Sequence, residues 1–248
     1  MRLVLSTAAA TDFTLDELIS ACRRRGLAGI ELVAGHAHGV DTTLDPAELG
    51  AIRQRLEAGG APVVVFRTPP AGAFHPNAAR LSSALGAPVI ASPEGEDGIP
   101  ADALLSAAAA YAAEGGTLLV AHGSEPDEVG RLRRVIERAP AGVLGLAWEV
   151  DPAAGTITGR VAAVLEAAGP HLRYVRLLGG GPESAQHEGR GIGPLMAHLA
   201  LAGYGGPLAL APSTPRYRTA WSRWLGRGGG WGCGSKAADP SLVRLERS

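Results

Sequence analysis

The sequence predicts a single α/β domain, a (β/α)8 TIM barrel. Three observations predict it. Eight short apolar runs alternate with longer stretches that carry apolar residues at helical spacing. Runs such as PVVVF and TLLVA are apolar throughout, as strands are when both faces of a parallel sheet are covered. The chain has 248 residues, the length of one such barrel, and no linker or repeat divides it.

In chain order the strands are expected at RLVLST (2–7), GIELVA (29–34), PVVVFR (62–67), PVIAS (88–92), TLLVAH (117–122), LGLAWEV (144–150), LRYVRLL (172–178) and PLALA (207–211). The helices between them are TLDELISACRRRG, DPAELGAIRQRLEAGG, HPNAARLSSALG, PADALLSAAAAYAAEGG, PDEVGRLRRVIERAP, TGRVAAVLEAAG and GIGPLMAHLALAG. Several open on Asp, Thr or Pro and close on Gly, the residues that cap helix ends. After the eighth strand PRYRTAWSRWLG reads as a final helix. RGGGWGCGSKAADP then reads as a flexible tail, which puts the barrel at 1–225 and a Gly-rich tail at 226–248. An open, doubly wound sheet is the alternative. No strand leads into a GxGxxG turn, which counts against its dinucleotide-binding form.

Composition narrows the function. The formal net charge is -1, so nothing argues for nucleic acid or an anionic membrane as partner. No apolar run is long enough for a membrane span. The opening MRLVLSTAAATDFTLDE has too short an apolar core for a signal peptide, and acidic residues follow at once. Cys22 and Cys233 form no CxxC and no disulfide framework, which suits a reducing cytoplasm. Lys236, in the tail, is the only lysine. Schiff-base chemistry needs a lysine amine in the site, so lysine-dependent aldolase chemistry is excluded from the barrel.

In this architecture the chemistry comes from the C-terminal ends of strands and the loops after them. The polar residues there are Glu31, His36, His38, Arg67, His75, Glu94, Glu96, His122, Glu125, Glu149, Asp151, Arg176, Glu183, His187, Glu188, Arg190, Ser213 and Thr214. His36 and His38 form either a metal-binding loop or a surface loop with solvated histidines, and the second reading is preferred. His122 ends an apolar strand near the barrel mouth. Glu149 follows Trp148 in a buried strand, where a carboxylate is costly unless paired or ligating. Arg176 within an apolar strand needs an anion, either Glu149 as a structural ion pair or a substrate carboxylate or phosphate. His187 and Glu188 lie in a glycine-flanked loop that is either a lid or an ordinary exposed loop. His171 and His198 are expected to be structural. The run Gly179-Gly180-Gly181 lacks the basic partners of a phosphate loop beyond Arg176 and Arg190.

The order of these pieces resembles the xylose isomerase-like barrel family of sugar phosphate isomerases and epimerases, which also takes in barrels like the family 2 AP endonucleases. LAGIELVAGH resembles its second-strand GxxGIEL segment. GVLGLAWEVDP resembles its sixth strand, where a tryptophan-aspartate pair is followed by histidine. LRYVRLLG resembles the seventh-strand hVHvKD, and GRGIGPLMAHLALAGYGGPLALAPST the closing GYxGxlslE segment. The resemblance spans about residues 1 to 225. It implies a divalent metal held by Glu, Asp, His and Glu from strands five to eight. Position by position, those ligands fall at Ala121, Glu149, Arg176 and Ala211, and the histidine beyond the sixth strand falls near Asp151 or Pro152. One ligand in four survives, and a fixed positive charge replaces another. The resemblance therefore implies a degenerate site with no metal and no cofactor.

The resulting expectation is an isomerase- or epimerase-like enzyme, or a cyclase or lyase. It would act on a small oxygenated substrate, sugar-like, polyol-like or from specialised metabolism, by metal-independent proton transfer. Glu149, Arg176, His122 and His187 are the expected catalytic residues. Glu31, His36, Arg67, Trp148 and Glu183 are the expected substrate-binding residues. Two other readings stand beside it: a non-catalytic barrel that binds a ligand or scaffolds a partner enzyme, with the tail around Trp224 and Trp231 as docking segment, and a metal enzyme with ligands recruited from His36, His38 and His75. A small-molecule substrate is the expected partner, with a homodimer or a partner enzyme left open.

Overall fold

Each apolar run becomes a strand in the computed structural model, which describes residues 1–68, 70–75, 77–92, 99–150, 157–179, 192–212 and 225. The strands are β1 (Arg2–Ser6), β2 (Ile30–Val33), β3 (Val63–Arg67), β4 (Val89–Ala91), β5 (Leu118–His122), β6 (Leu144–Val150), β7 (Leu172–Gly179) and β8 (Pro207–Pro212). They pair in parallel, each with its sequence neighbours, and β8 returns to β1 to close the barrel. The described helices are α1 (Leu15–Arg25), α2 (Pro46–Ala58), α3 (Ala78–Leu85), α4 (Ala101–Glu114), α5 (Pro126–Ile136), α6 (Ile157–Ala168) and α7 (Ile192–Leu201). None of them, among the described residues, is long and apolar enough to cross a membrane.

The helix boundaries follow the capping residues. Thr14 and Glu17 form a reciprocal capping box at the start of α1, and Gly26 ends it with φ of 62°. Asp45 accepts from the backbone N–H groups of Ala47 and Glu48, with Pro46 next in line at the first helical position.

Strand alternation divides the core into two shells. Outside the barrel wall, Leu5, Ile30, Leu32, Phe66, Val120, Leu146, Trp148, Val175 and Leu208 pack against the helices. Inside it, Val4, Val65, Ile90, Leu119, Ala121, Ala147, Tyr174 and Ala209 pack on one another. Tyr174 is the one large side chain of that inner group. The residue two places further along a strand faces the same way, so Ser6, Arg67, Glu149, Arg176 and Ala211 sit above this layer, toward the C-terminal mouth.

The expected final helix and tail lie outside the described residues except for Leu225. That residue is buried, and its carbonyl accepts a hydrogen bond from Arg24 at 2.9 Å.

Candidate active site

Above the apolar inner layer the strands deliver a charged cluster. Glu31, on β2, is completely buried. Its Oε1 accepts from the Ser6 hydroxyl at 2.5 Å and from Arg176 Nε at 3.2 Å. Its Oε2 accepts from the Tyr174 hydroxyl at 2.5 Å. Burial pushes the Glu31 pKa up. The charges of Arg176 and Arg67 and the bonds from Ser6 and Tyr174 outweigh that, so the carboxyl titrates below its usual range. Tyr174, buried beside this carboxylate, is pushed well above the usual phenol range and stays protonated.

The second carboxylate is Glu149 on β6. It is the register partner of Arg176 on β7, whose Nη1 approaches its Oε1 at 3.5 Å. Arg67, on β3, reaches the same oxygen from across the barrel. Arg67 also donates to the Ser92 hydroxyl at 2.8 Å, just beyond β4. Burial and repulsion from Arg176 lower the Arg67 pKa, and attraction to Glu31 opposes them. The Arg67 guanidinium remains charged at neutral pH. Glu149 keeps 22% of its side chain exposed, against 11% for Arg176 and none for Glu31. Solvent at the mouth therefore meets Glu149 before it meets Glu31.

Of the sequence-derived candidates, the cluster brings together Glu31, Arg67, Glu149 and Arg176. It does not bring in His122 or Trp148. These two are register partners on β5 and β6 and alternate with the inward Ala121, Ala147 and Glu149, so both face the helices. Trp148 is buried in the helix-side shell and donates to the Ser124 hydroxyl at 3.3 Å. His122 bonds through Nδ1 to the Gly123 carbonyl at 2.7 Å, and burial pushes its pKa down to about 4.

The loop after β2 also departs from the expectation of solvated histidines. His38 is buried, with Nε2 at 3.1 Å from the Val33 carbonyl and Nδ1 accepting from the Val40 N–H at 3.1 Å. Burial, then the neighbouring His36, pushes its pKa down to about 4. The ring braces its own loop, 5.7 Å from His36 between centroids. His75 is exposed and accepts from the Asn77 N–H. His187, Glu183, Glu188, Arg190, Asp151, Glu94 and Glu96 lie outside the described residues.

Ser6, Ser92 and Tyr174 were not among the candidates. Tyr174 had a signal, since it stands two places before Arg176 and so shares its face. Ser6 ends β1 in the same way. Ser92 follows β4 and carries no such mark.

The barrel's shape and strand order match solved structures. The chain aligns with D-tagatose 3-epimerase-like protein at a TM-score of 0.62 and 15% identity, over 91% of this chain and 96% of that one. It aligns with D-psicose 3-epimerase at 0.61 and 14%, over 89% and 90%. It aligns with the xylose isomerase domain protein of Planctomyces limnophilus at 0.58 and 16%, over 90% and 92%. The chain has the fold of the xylose isomerase-like barrels. No protein-family profile and no curated protein matches the sequence.

The residues present bear on the divalent metal that the sequence resemblance implies. Ala121 and Ala211 offer methyl groups at two of the positions the resemblance assigns to ligands, and Arg176 a cation at a third. Glu149, at the fourth, already meets two guanidiniums. No group of three or more His, Cys, Asp or Glu side chains suited to a metal occurs among the described residues. Among the described residues, this donor set does not fit a divalent cation.

Proposed function

We propose that this chain is an isomerase- or epimerase-like enzyme that moves a proton on a small oxygenated substrate at the barrel mouth, without a divalent metal. The observation that carries the reading is the convergence of Arg67 and Arg176 on one oxygen of Glu149 at the C-terminal ends of three strands. Glu149 gives or takes the proton. Arg67 and Arg176 hold the oxygen on which negative charge grows. Glu31 lies under Arg176 as a counter-ion and keeps its fork oriented. Neighbours with this fold include D-psicose 3-epimerase and 3-keto-D-glucoside 4-epimerase from E. coli, named sugar epimerases, which supports a sugar- or polyol-like substrate.

The test is solvent exchange. The protein is incubated in D2O with a panel of keto- and aldo-sugars, polyols and sugar acids, with and without EDTA. Carbon-bound deuterium is read by mass spectrometry. Exchange that survives EDTA and is lost in Glu149→Gln is the expected result. Exchange lost with EDTA, or retained in Glu149→Gln, overturns the reading.

One observation favours the non-catalytic alternative: among the described residues the cluster is charge-balanced, with two arginines and two glutamates. A ligand-binding or scaffolding barrel would show no exchange on any substrate.

A further inference from the structure

Resting on the proposed function, the charge arithmetic of the cluster points to a substrate class. We infer that the ligand carries a single carboxylate, and that this carboxylate takes the place Glu149 holds between Arg67 and Arg176.

Two guanidiniums that repel each other are held together here by two carboxylates. The carboxylates are not equivalent. Glu31 is enclosed by Ser6, Tyr174 and Arg176, so its negative charge is held inside and cannot reach a ligand. It answers one of the two positive charges. Glu149 is partly exposed and answers the other. With Glu149 turned aside or protonated, the described residues of the cluster leave one net positive charge facing the mouth, presented by two forks that already converge on one oxygen. A monoanion balances that charge. A neutral sugar leaves a desolvated guanidinium unanswered, and a phosphate dianion overshoots. Among the described residues, the charged groups that meet Glu149 are Arg67 from β3 and Arg176 from β7. Glu31 from β2 and Tyr174 from β7 lie behind them, and Ser92 lies beside Arg67.

Glu149 therefore has two duties. It is the resident stand-in for the ligand's carboxylate, and it is the proton carrier once displaced from the arginines. The second duty is the proposed catalysis. The first is testable without any turnover.

Glycolate, ethylene glycol and inorganic phosphate are titrated against the full chain by proton NMR. They differ in charge at small, similar size. The same titrations are run on Glu149→Gln and Arg67→Met, with thermal melts to verify folding. Glycolate is expected to bind Glu149→Gln at least about tenfold more tightly than wild type, because its resident competitor has lost its charge. Ethylene glycol should be unchanged, phosphate should gain less than glycolate, and Arg67→Met should lose glycolate. Equal glycolate affinity in wild type and Glu149→Gln overturns the inference. So does an equal gain for ethylene glycol, or a larger gain for phosphate. The comparison of wild type with Glu149→Gln decides the matter even if Arg67→Met does not fold. The two proposals fail separately. Glycolate preference without deuterium exchange sinks only the catalytic reading, and exchange on neutral sugars without anion preference sinks only the substrate class.

Discussion

Inside the barrel the Tyr174 hydroxyl donates to Glu31 Oε2 at 2.5 Å, joining β7 to β2 across the barrel interior. The carboxylate is wholly buried, and every partner it has is polar and equally enclosed or nearly so. It is a costly group to bury, and removing its charge alone leaves Arg176 with less to answer it.

Glu31→Gln should therefore destabilise the fold by about 3 kcal/mol or more. Glu149→Gln should cost clearly less, because solvent reaches that side chain and screens it. Tyr174→Phe should cost about 1–2 kcal/mol through the lost hydrogen bond. Urea unfolding of the three variants checks the order. Equal losses for Glu31→Gln and Glu149→Gln would contradict the burial difference.

Acid should act through histidine before it acts through carboxylate. Burial holds His38 and His122 down near pH 4, well below the ordinary 6.5. The unfolded chain binds those protons at higher pH than the folded one. Stability is thus full above about 6.5 and falls as pH drops toward 4, by roughly 3 kcal/mol per histidine at most. Glu31, depressed instead, protects stability above its unfolded pKa and loses that contribution at still lower pH. Thermal melts of His122→Phe from pH 7 to 4 should show a shallower decline than wild type.

Helix α2 rests on its cap. Asp45 satisfies two backbone donors and exchanges a bond with Glu48, whose side chain accepts from the Asp45 N–H at 2.9 Å. Asp45→Ala should cost about 1 kcal/mol in chemical denaturation, and Asp45→Asn should recover most of it.

Gly29 enters β2 where there is no room for a side chain. A Cβ there would stand 2.6 Å from the Pro62 carbonyl oxygen and 2.5 Å from Val64 Cγ2. The oxygen accepts from the Ile30 N–H and cannot retreat without opening the β2–β3 ladder. Gly29→Ala should destabilise by about 1–3 kcal/mol, seen as a lower melting temperature with unchanged ligand-site chemistry.

The strands were legible because each is a compact apolar run between turn residues, and their ends fall within one residue of the expected ones. Strand alternation carried information about direction that residue type did not. It placed Glu149 and Arg176 on one face and His122 on the other, since His122 stands one place beyond Ala121. Glu31 was visible as a polar residue at a strand end, but its depth was not. The register shift between Ile30 and Glu31 helps to set where it sits, and a shift of that kind leaves no trace in composition. The pairing of Arg67 with Glu149 joins strands distant in sequence, and no local pattern reports it.

The seam between β1 and β8 has a consequence in time. Arg2 pairs with Pro207 and Leu5 with Leu210, so the first strand lacks one of its two neighbours until the eighth is available. Seven strands without the eighth leave unpaired backbone edges on both β1 and β7. On the ribosome the β1 edge waits through most of synthesis, while the β7 edge, with Arg176, waits only until β8 follows it. Assembly of the charged cluster is in this sense a report that the ring has shut.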